Sequence, residues 1–436
     1  MKEVIKLKNK EIEFETLHSN KHRIYFLFGI VCVVVLMVTL IVTTSKAKYK
    51  TTESMPLLNG TINYTLADLN IVEMYLNGEA IDSLPDGNYE LTEESYCTNA
   101  ENVRDESITL NYDGSTKIFT VAPFNKKGTK CYLYFEEGAS AGETILASEN
   151  APTNSTTDWT NSGTGITYYY TGNPNNWVQF GGFYWRIIRI NGDGTIRMIY
   201  QGTSANTTGE GTQIGTSAFN SSNNNNAYLG YMYTIGQVHG LGTSSTIKGI
   251  LDTWYNTYIE NEQSNIHYGQ YIDGNAGFCG DRTPSTSSNN SNGSGGTGTI
   301  ETYYGAYIRL ARNNSPSLQC SDNADIYTTI DSSTGNQALT YPIGLISADE
   351  AIFAGIPWTG YNQNNYLYTN TNYWTMSPSS FVDDYAFMYF VSSSGNIPFT
   401  GVGASNWAVR PVINLKSAIA ISGSGTTSDP FKVVGA

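Results

Sequence analysis

Charge is what this chain has least of. Asp, Glu, Lys and Arg make up 14% of its 436 residues, against about 25% in ordinary soluble proteins, and solubility falls instead to Asn, Ser, Thr, Gly and 32 Tyr. A neutral, polar and aromatic surface is expected. Basic residues are the scarcer sign: 24 Lys and Arg against 38 Asp and Glu give a formal net charge of −14. That balance argues against nucleic acid as a partner, because phosphate neutralisation needs clustered cations. Histidine numbers four, and beyond the N-terminal tail only His239 and His267 remain, in no recognisable ligand spacing. There is no Cys-x-x-Cys, no Gly-x-Ser-x-Gly elbow and no His-Glu-x-x-His helix. Paired carboxylates occur at Asp349-Glu350 and Asp383-Asp384, where helix capping and a turn account for them. The site checklist therefore predicts no enzyme.

One long apolar run is present, from Ile24 to Thr43, without a single charge. As a helix it would cover roughly 30 Å, the hydrocarbon thickness of a bilayer. Lys2, Lys6, Lys8, Lys10, Lys21 and Arg23 precede it, and only Lys46, Lys48 and Lys50 follow closely. That bias predicts a cell-membrane protein with a cytoplasmic tail (1–23), one transmembrane signal-anchor (24–44), a linker (45–63) and an extracellular bulk. Cleavage after Ser45-Lys46-Ala47 is the alternative, but the apolar core is longer than that of a signal peptide.

A small β domain is expected over 64–137. Alternating Val72, Met74 and Leu76 run into Asn77-Gly78, and the segments 107–112 and 117–121 flank Asp113-Gly114. This pattern suggests an all-β, Ig-like sandwich serving as a spacer. Besides Cys32, the cysteines fall into two sequence-local pairs, Cys97 with Cys131 and Cys279 with Cys320. Disulfides suit an oxidising exterior, with free thiols as the rival.

From about residue 142 the composition shifts to Asn, Thr, Tyr and Trp, and a larger domain of strands and helices is expected over 142–436. Asn191-Gly192-Asp193-Gly194 marks a hairpin. Ile247, Ile250, Leu251, Trp254 and Tyr258 share a helix face that Ser244 or Ser245 can cap. Ser347-Ala348-Asp349-Glu350 reads as a capping box. The stretch 283–299, almost wholly Ser, Asn, Gly and Thr, is expected to be a mobile loop.

The strings Phe183-Tyr184-Trp185-Arg186-Ile187-Ile188, Tyr341 to Glu350, Tyr373-Trp374-Thr375-Met376-Ser377-Pro378 and Val409-Arg410-Pro411-Val412-Ile413-Asn414-Leu415 resemble a domain of unknown function. That domain is common in surface proteins of low-GC Gram-positive bacteria. It is similar to a variant of the α+β C-type lectin-like fold shared with formylglycine-generating enzymes. The resemblance implies structural places for Trp185, Trp374, Trp407 and Arg410, the arginine satisfying several loop carbonyls at once. Formylglycine-generating enzymes use two cysteines that bind copper near the closing strands. The block from Trp374 to Leu415 has none, and Cys279 and Cys320 read as a brace. No cofactor is expected. Calcium is the alternative, through oxygens of Asn173-Pro174-Asn175-Asn176 or Asp322-Asn323-Ala324-Asp325, although neither lies just before the closing strands.

Tyr361, Tyr366, Tyr368, Tyr385 and Tyr389, interspersed with Asn, Ser and Asp, are the expected ligand-binding residues, because this mixture resembles a paratope. The expected function is a membrane-anchored surface protein displaying a lectin-like adhesion or recognition domain for a glycan or surface protein. The alternatives are a structural or assembly protein of the cell envelope and a formylglycine-generating-enzyme-like oxidase.

Overall fold

The computed structural model describes residues 69–436 apart from 86, 114–117, 124–127, 158–164, 261–266, 287–292 and 331–334. All of them belong to one compact unit, Thr65–Ala436.

Its smaller part contains seven strands: β1 (Leu69–Leu76), β2 (Glu79–Ile81), β3 (Tyr89–Leu91), β4 (Tyr96–Thr98), β5 (Thr109–Asp113), β6 (Ile118–Ala122) and β7 (Thr129–Glu137). Asn77 and Gly78 both have positive φ, 51° and 84°, as a two-residue hairpin turn requires. They fold β2 back on β1 with Leu76 opposite Glu79. The partner on β1's other side is β7, in parallel, with Met74 opposite Leu133. The sheet order is β2-β1-β7-β3, with β4 also on β7, while β5 and β6 form a separate ribbon. This corrects the Ig-like expectation: one mixed sheet beside a ribbon replaces two packed antiparallel sheets. The disulfide Cys97–Cys131 joins β4 to β7.

The larger part is mostly mixed β-sheet. One sheet of eight strands runs in the order Val412–Leu415, Ile196–Gly202, Phe183–Ile190, Trp177–Phe180, Phe431–Val433, Ile421–Ser422, with two further strands, Asn154–Thr157 and Ile166–Tyr169, reaching it through Phe183–Ile190. A six-stranded sheet is built around Tyr373–Val382 and Tyr385–Val391. Ile196–Gly202 is buried at every position and Tyr373–Val382 at all but its last, so both are covered on both faces and read as continuous runs rather than alternations. The α-helices are α1 (Ala141–Leu146), α2 (Thr246–Tyr255) and α3 (Ala348–Phe353). Ser245 caps α2, whose buried residues include Ile247, Leu251 and Trp254, whereas Tyr258 in the following turn is 47% exposed. A body so dominated by mixed sheets corrects the expectation of an α+β C-type lectin-like domain.

Among the described residues, no helix is long and apolar enough to cross a membrane. The longest α-helix, α2, has ten residues and is about 15 Å long, half a bilayer core. The tail, the run from Ile24 to Thr43 and the linker lie outside the described residues. The single-pass membrane anchor, the membrane as partner and the topology built on them are therefore withdrawn.

Loop 283–299 is pinned at its described flanks. Asn226 Nδ2 donates to the carbonyls of Gly298 and Ile300, at 3.0 and 2.7 Å, and Gly293 N bonds Ser285 O at 2.8 Å.

Candidate functional site

Buried charge is what the larger part gathers. Ser347 and Glu350 form the capping box of α3, the serine hydroxyl accepting from Glu350 N at 3.0 Å and the carboxylate from Ser347 N at 2.8 Å. The same carboxylate reaches the eight-stranded sheet. Glu350 Oε1 accepts from Arg189 Nε at 2.9 Å and lies 2.5 Å from Arg197 Nε, and Oε2 is 3.3 Å from Arg197 Nη2. All three side chains are 3% exposed. Burial pushes the Glu350 carboxyl up, but Arg197 and Arg189 outweigh it and hold the pKa below the ordinary carboxylate value.

A third arginine bridges two acids alongside. Arg309 donates to Asp349 at 2.9 and 2.8 Å and to Asp281 at 2.6 Å. Burial is the largest influence on Asp281 and raises its pKa despite Arg309. The segment bearing Ser317 and Ser321 closes over these groups. Ser317 N donates to Asp349 at 2.9 Å and Ser321 Oγ to Asp281 at 2.6 Å. The disulfide Cys279–Cys320 fastens that segment, and Cys279 lines the cavity enclosed by Arg189, Arg309, Asp281 and Glu350. The cavity measures about 20 Å³, room for about one water.

A third pair lies near His239. Arg282 donates to Asp325 Oδ1 from Nε at 2.8 Å and from Nη2 at 2.5 Å, both residues being buried. His239 Nδ1 is 3.4 Å from Asp325, and Nε2 is 3.8 Å from Asp322. Donation of a hydrogen bond to the Asp325 carboxylate raises the His239 pKa above its ordinary value, against burial and Arg282.

The five tyrosines do not form one face. Tyr366 and Tyr389 are core residues at 3% and 0% exposure, Tyr368 is half-buried, and Tyr361 and Tyr385 are exposed. Trp358 and Phe399 cover Tyr389, their ring centroids 5.5 and 6.0 Å from its own. Trp185 and Trp374 are fully buried, their indole N–H groups bonded to Phe180 O and Ser217 O at 3.0 and 2.8 Å. Trp407 is half-buried against Trp374. Arg410, fully buried, donates to the carbonyls of Tyr200 and Leu367 and to Gln201.

Two of the residues considered for calcium are otherwise engaged: Asn176 Oδ1 accepts from Arg186 at 2.5 Å, and Asp325 is held by Arg282. Among the described residues, no group of three or more His, Cys, Asp and Glu side chains is arranged to hold a metal ion.

Sequence reasoning missed the ionic cluster. Its signal was Arg189 inside an otherwise apolar strand, a position where a charge persists only when paired or fully hydrogen-bonded. The β-rich body with two disulfides also overturns the lectin-type adhesion reading, together with its glycan or surface-protein ligand, and fits the oxidase-like alternative better. Against family models, curated proteins and solved structures, the chain has no match.

Proposed function

We propose that this chain is a structural or assembly protein, its larger part a non-catalytic relative of formylglycine-generating-enzyme-like domains in bacterial surface proteins. One observation carries the reading: the acids and arginines pair with one another around a space for about one water. A site of that size admits no substrate, and its charges hold strands, α3 and the segment carrying Cys320 in register. Two disulfides are in keeping with a working environment that leaves cysteines oxidised.

The test is urea unfolding of the full chain against a Cys279→Ser/Cys320→Ser variant. In the chain-entropy model the 41-residue separation gives the cross-link about 4 kcal/mol. A loss of that size is expected with the fold retained. Unchanged stability would overturn the bracing role.

The oxidase-like reading has its own support, since Cys279 lines the charged cavity and both half-cystines are partly exposed. The fit to copper is conditional. Two sulfurs bonded to each other offer no thiolate, so Cys279 and Cys320 could hold copper only after reduction. On that reading the reduced chain binds one Cu(I), and Cys279→Ser abolishes the binding.

A further inference from the structure

One face of the five-stranded sheet carries a plate of tyrosines. Along β7 burial alternates: Thr129, Cys131, Leu133 and Phe135 are buried, and Lys130, Tyr132, Tyr134 and Glu136 occupy the opposite, outer face. The register sets Tyr75 of β1 beside Tyr134 and Tyr96 of β4 beside Tyr132. Each pair is stacked, with ring centroids 4.7 and 4.9 Å apart. All four rings are half-buried, and among the described residues the only cation over them is Arg104, 5.2 Å from the Tyr96 centroid. Aromatic rings held in place by one another, on an outer face rimmed by charge, are the composition of an interaction surface.

The charges on this face are ordered. Lys130 stands at one end, held by the neutral amide oxygen of Asn102 at 2.8 Å, with Arg104 bridged to the neighbouring Thr98. Glu136 stands at the other end with Glu90 of β3 opposite it in register, both exposed. The outer face of β7 therefore reads Lys, Tyr, Tyr, Glu. A second copy, turned about a two-fold axis that lies in the face and runs across β7, presents the same order reversed. Lys130 then meets Glu136 of the second copy, and Tyr132 meets its Tyr134, so the pattern complements itself. Glu73, midway along the face, accepts from the Tyr75 hydroxyl and faces Tyr75 of the second copy. Sheets packed face to face keep their strands within about 30° of one another, as this antiparallel placement does. Seven residues of β7 by four strand positions, at about 3.3 and 4.8 Å each, make a face of roughly 440 Å². Two such faces bury about 900 Å², the size of a weak association. We infer that two copies of this chain associate through the tyrosine face, β7 antiparallel to β7. This deepens the assembly reading by naming its contact, and it uses none of the ionic cluster around Glu350.

The test is sedimentation equilibrium of the full chain over a concentration series, with Lys130→Glu and Glu136→Lys measured alone and mixed. A weak wild-type dimer is expected. Each single substitution sets like charges opposite one another at both symmetric contacts and should weaken association at least about tenfold. The equimolar mixture should associate again, because every glutamate then meets a lysine. Both positions lie on the outer face; an unchanged urea midpoint verifies each fold, and recovery in the mixture requires both variants to be folded. A wild type that stays monomeric to about 0.5 mM overturns the inference, as do an association that neither substitution weakens and a mixture no tighter than either variant alone. Such a failure leaves the disulfide test untouched, so the two readings fall separately.

Discussion

Replacing Glu350 by Gln removes one charge and almost no volume. The amide oxygen can still accept from Ser347 N, since a capping box tolerates Gln, so the change isolates the ionic contribution. Two guanidiniums, Arg189 and Arg197, then stay buried at 3% exposure without their carboxylate. At about 3 Å and an effective dielectric of about 20, each pair is worth roughly 5 kcal/mol before desolvation. Removing one partner of a buried pair costs about 3–5 kcal/mol net, and that range is expected here. It is a large share of a total stability of about 5–15 kcal/mol. Urea unfolding followed by tryptophan fluorescence suits the measurement, because Trp185 and Trp374 are fully buried. Glu106→Gln is the control: its pair with Arg104 is 77% and 51% exposed, and a loss of no more than about 1 kcal/mol is expected. The pH dependence supplies a second check. The Glu350 pKa is lowered in the fold, so its stabilisation is present above the unfolded carboxylate value of about 4.3 and is lost as pH falls through the lower folded value. Wild type and variant should converge in acid. A loss at pH 7 no larger than that of the control would refute the reasoning.

His239 faces Asp325, Asp322 and Arg282, and its raised pKa makes its stabilisation complete below the unfolded value of about 6.5 and lost as pH rises through the folded one. The stability difference between wild type and His239→Gln should shrink from about pH 6 to about pH 8; a pH-independent difference in denaturant titrations would contradict this. The Tyr366 hydroxyl is buried with no hydrogen-bond partner among the described residues, so Tyr366→Phe should be neutral or stabilising by up to about 1 kcal/mol. By contrast Tyr366→Ser should cost about 3–5 kcal/mol, and Tyr361→Ser, at a residue 73% exposed, should change the unfolding midpoint within about 0.5 kcal/mol. Equal effects of the two serine substitutions would contradict the burial assignment.

What was legible in the sequence was local. The Asn77-Gly78 hairpin, the Ser245 cap and the Ser347-Glu350 capping box each arise within a few residues, where turn and capping chemistry decide. The parallel pairing of β1 with β7 was not, because the turns constrain hairpins and leave the long strand's partner open. Tyr385 is exposed, yet Tyr389, four residues on along the same strand, is buried because Trp358 and Phe399 arrive from elsewhere. Arg189 and Glu350 stand 161 residues apart. Each is anomalous alone, a charge in an apolar strand and a glutamate explained by capping, and only the folded chain makes them one pair.

The central claim is that the cavity beside Cys279 braces the fold and performs no chemistry. Oxygen uptake by the reduced full chain supplied with Cu(I) and a cysteine-containing peptide tests it most directly. The account predicts no uptake above copper and peptide without protein. Sustained uptake that disappears in Cys279→Ser would contradict it and establish the oxidase reading.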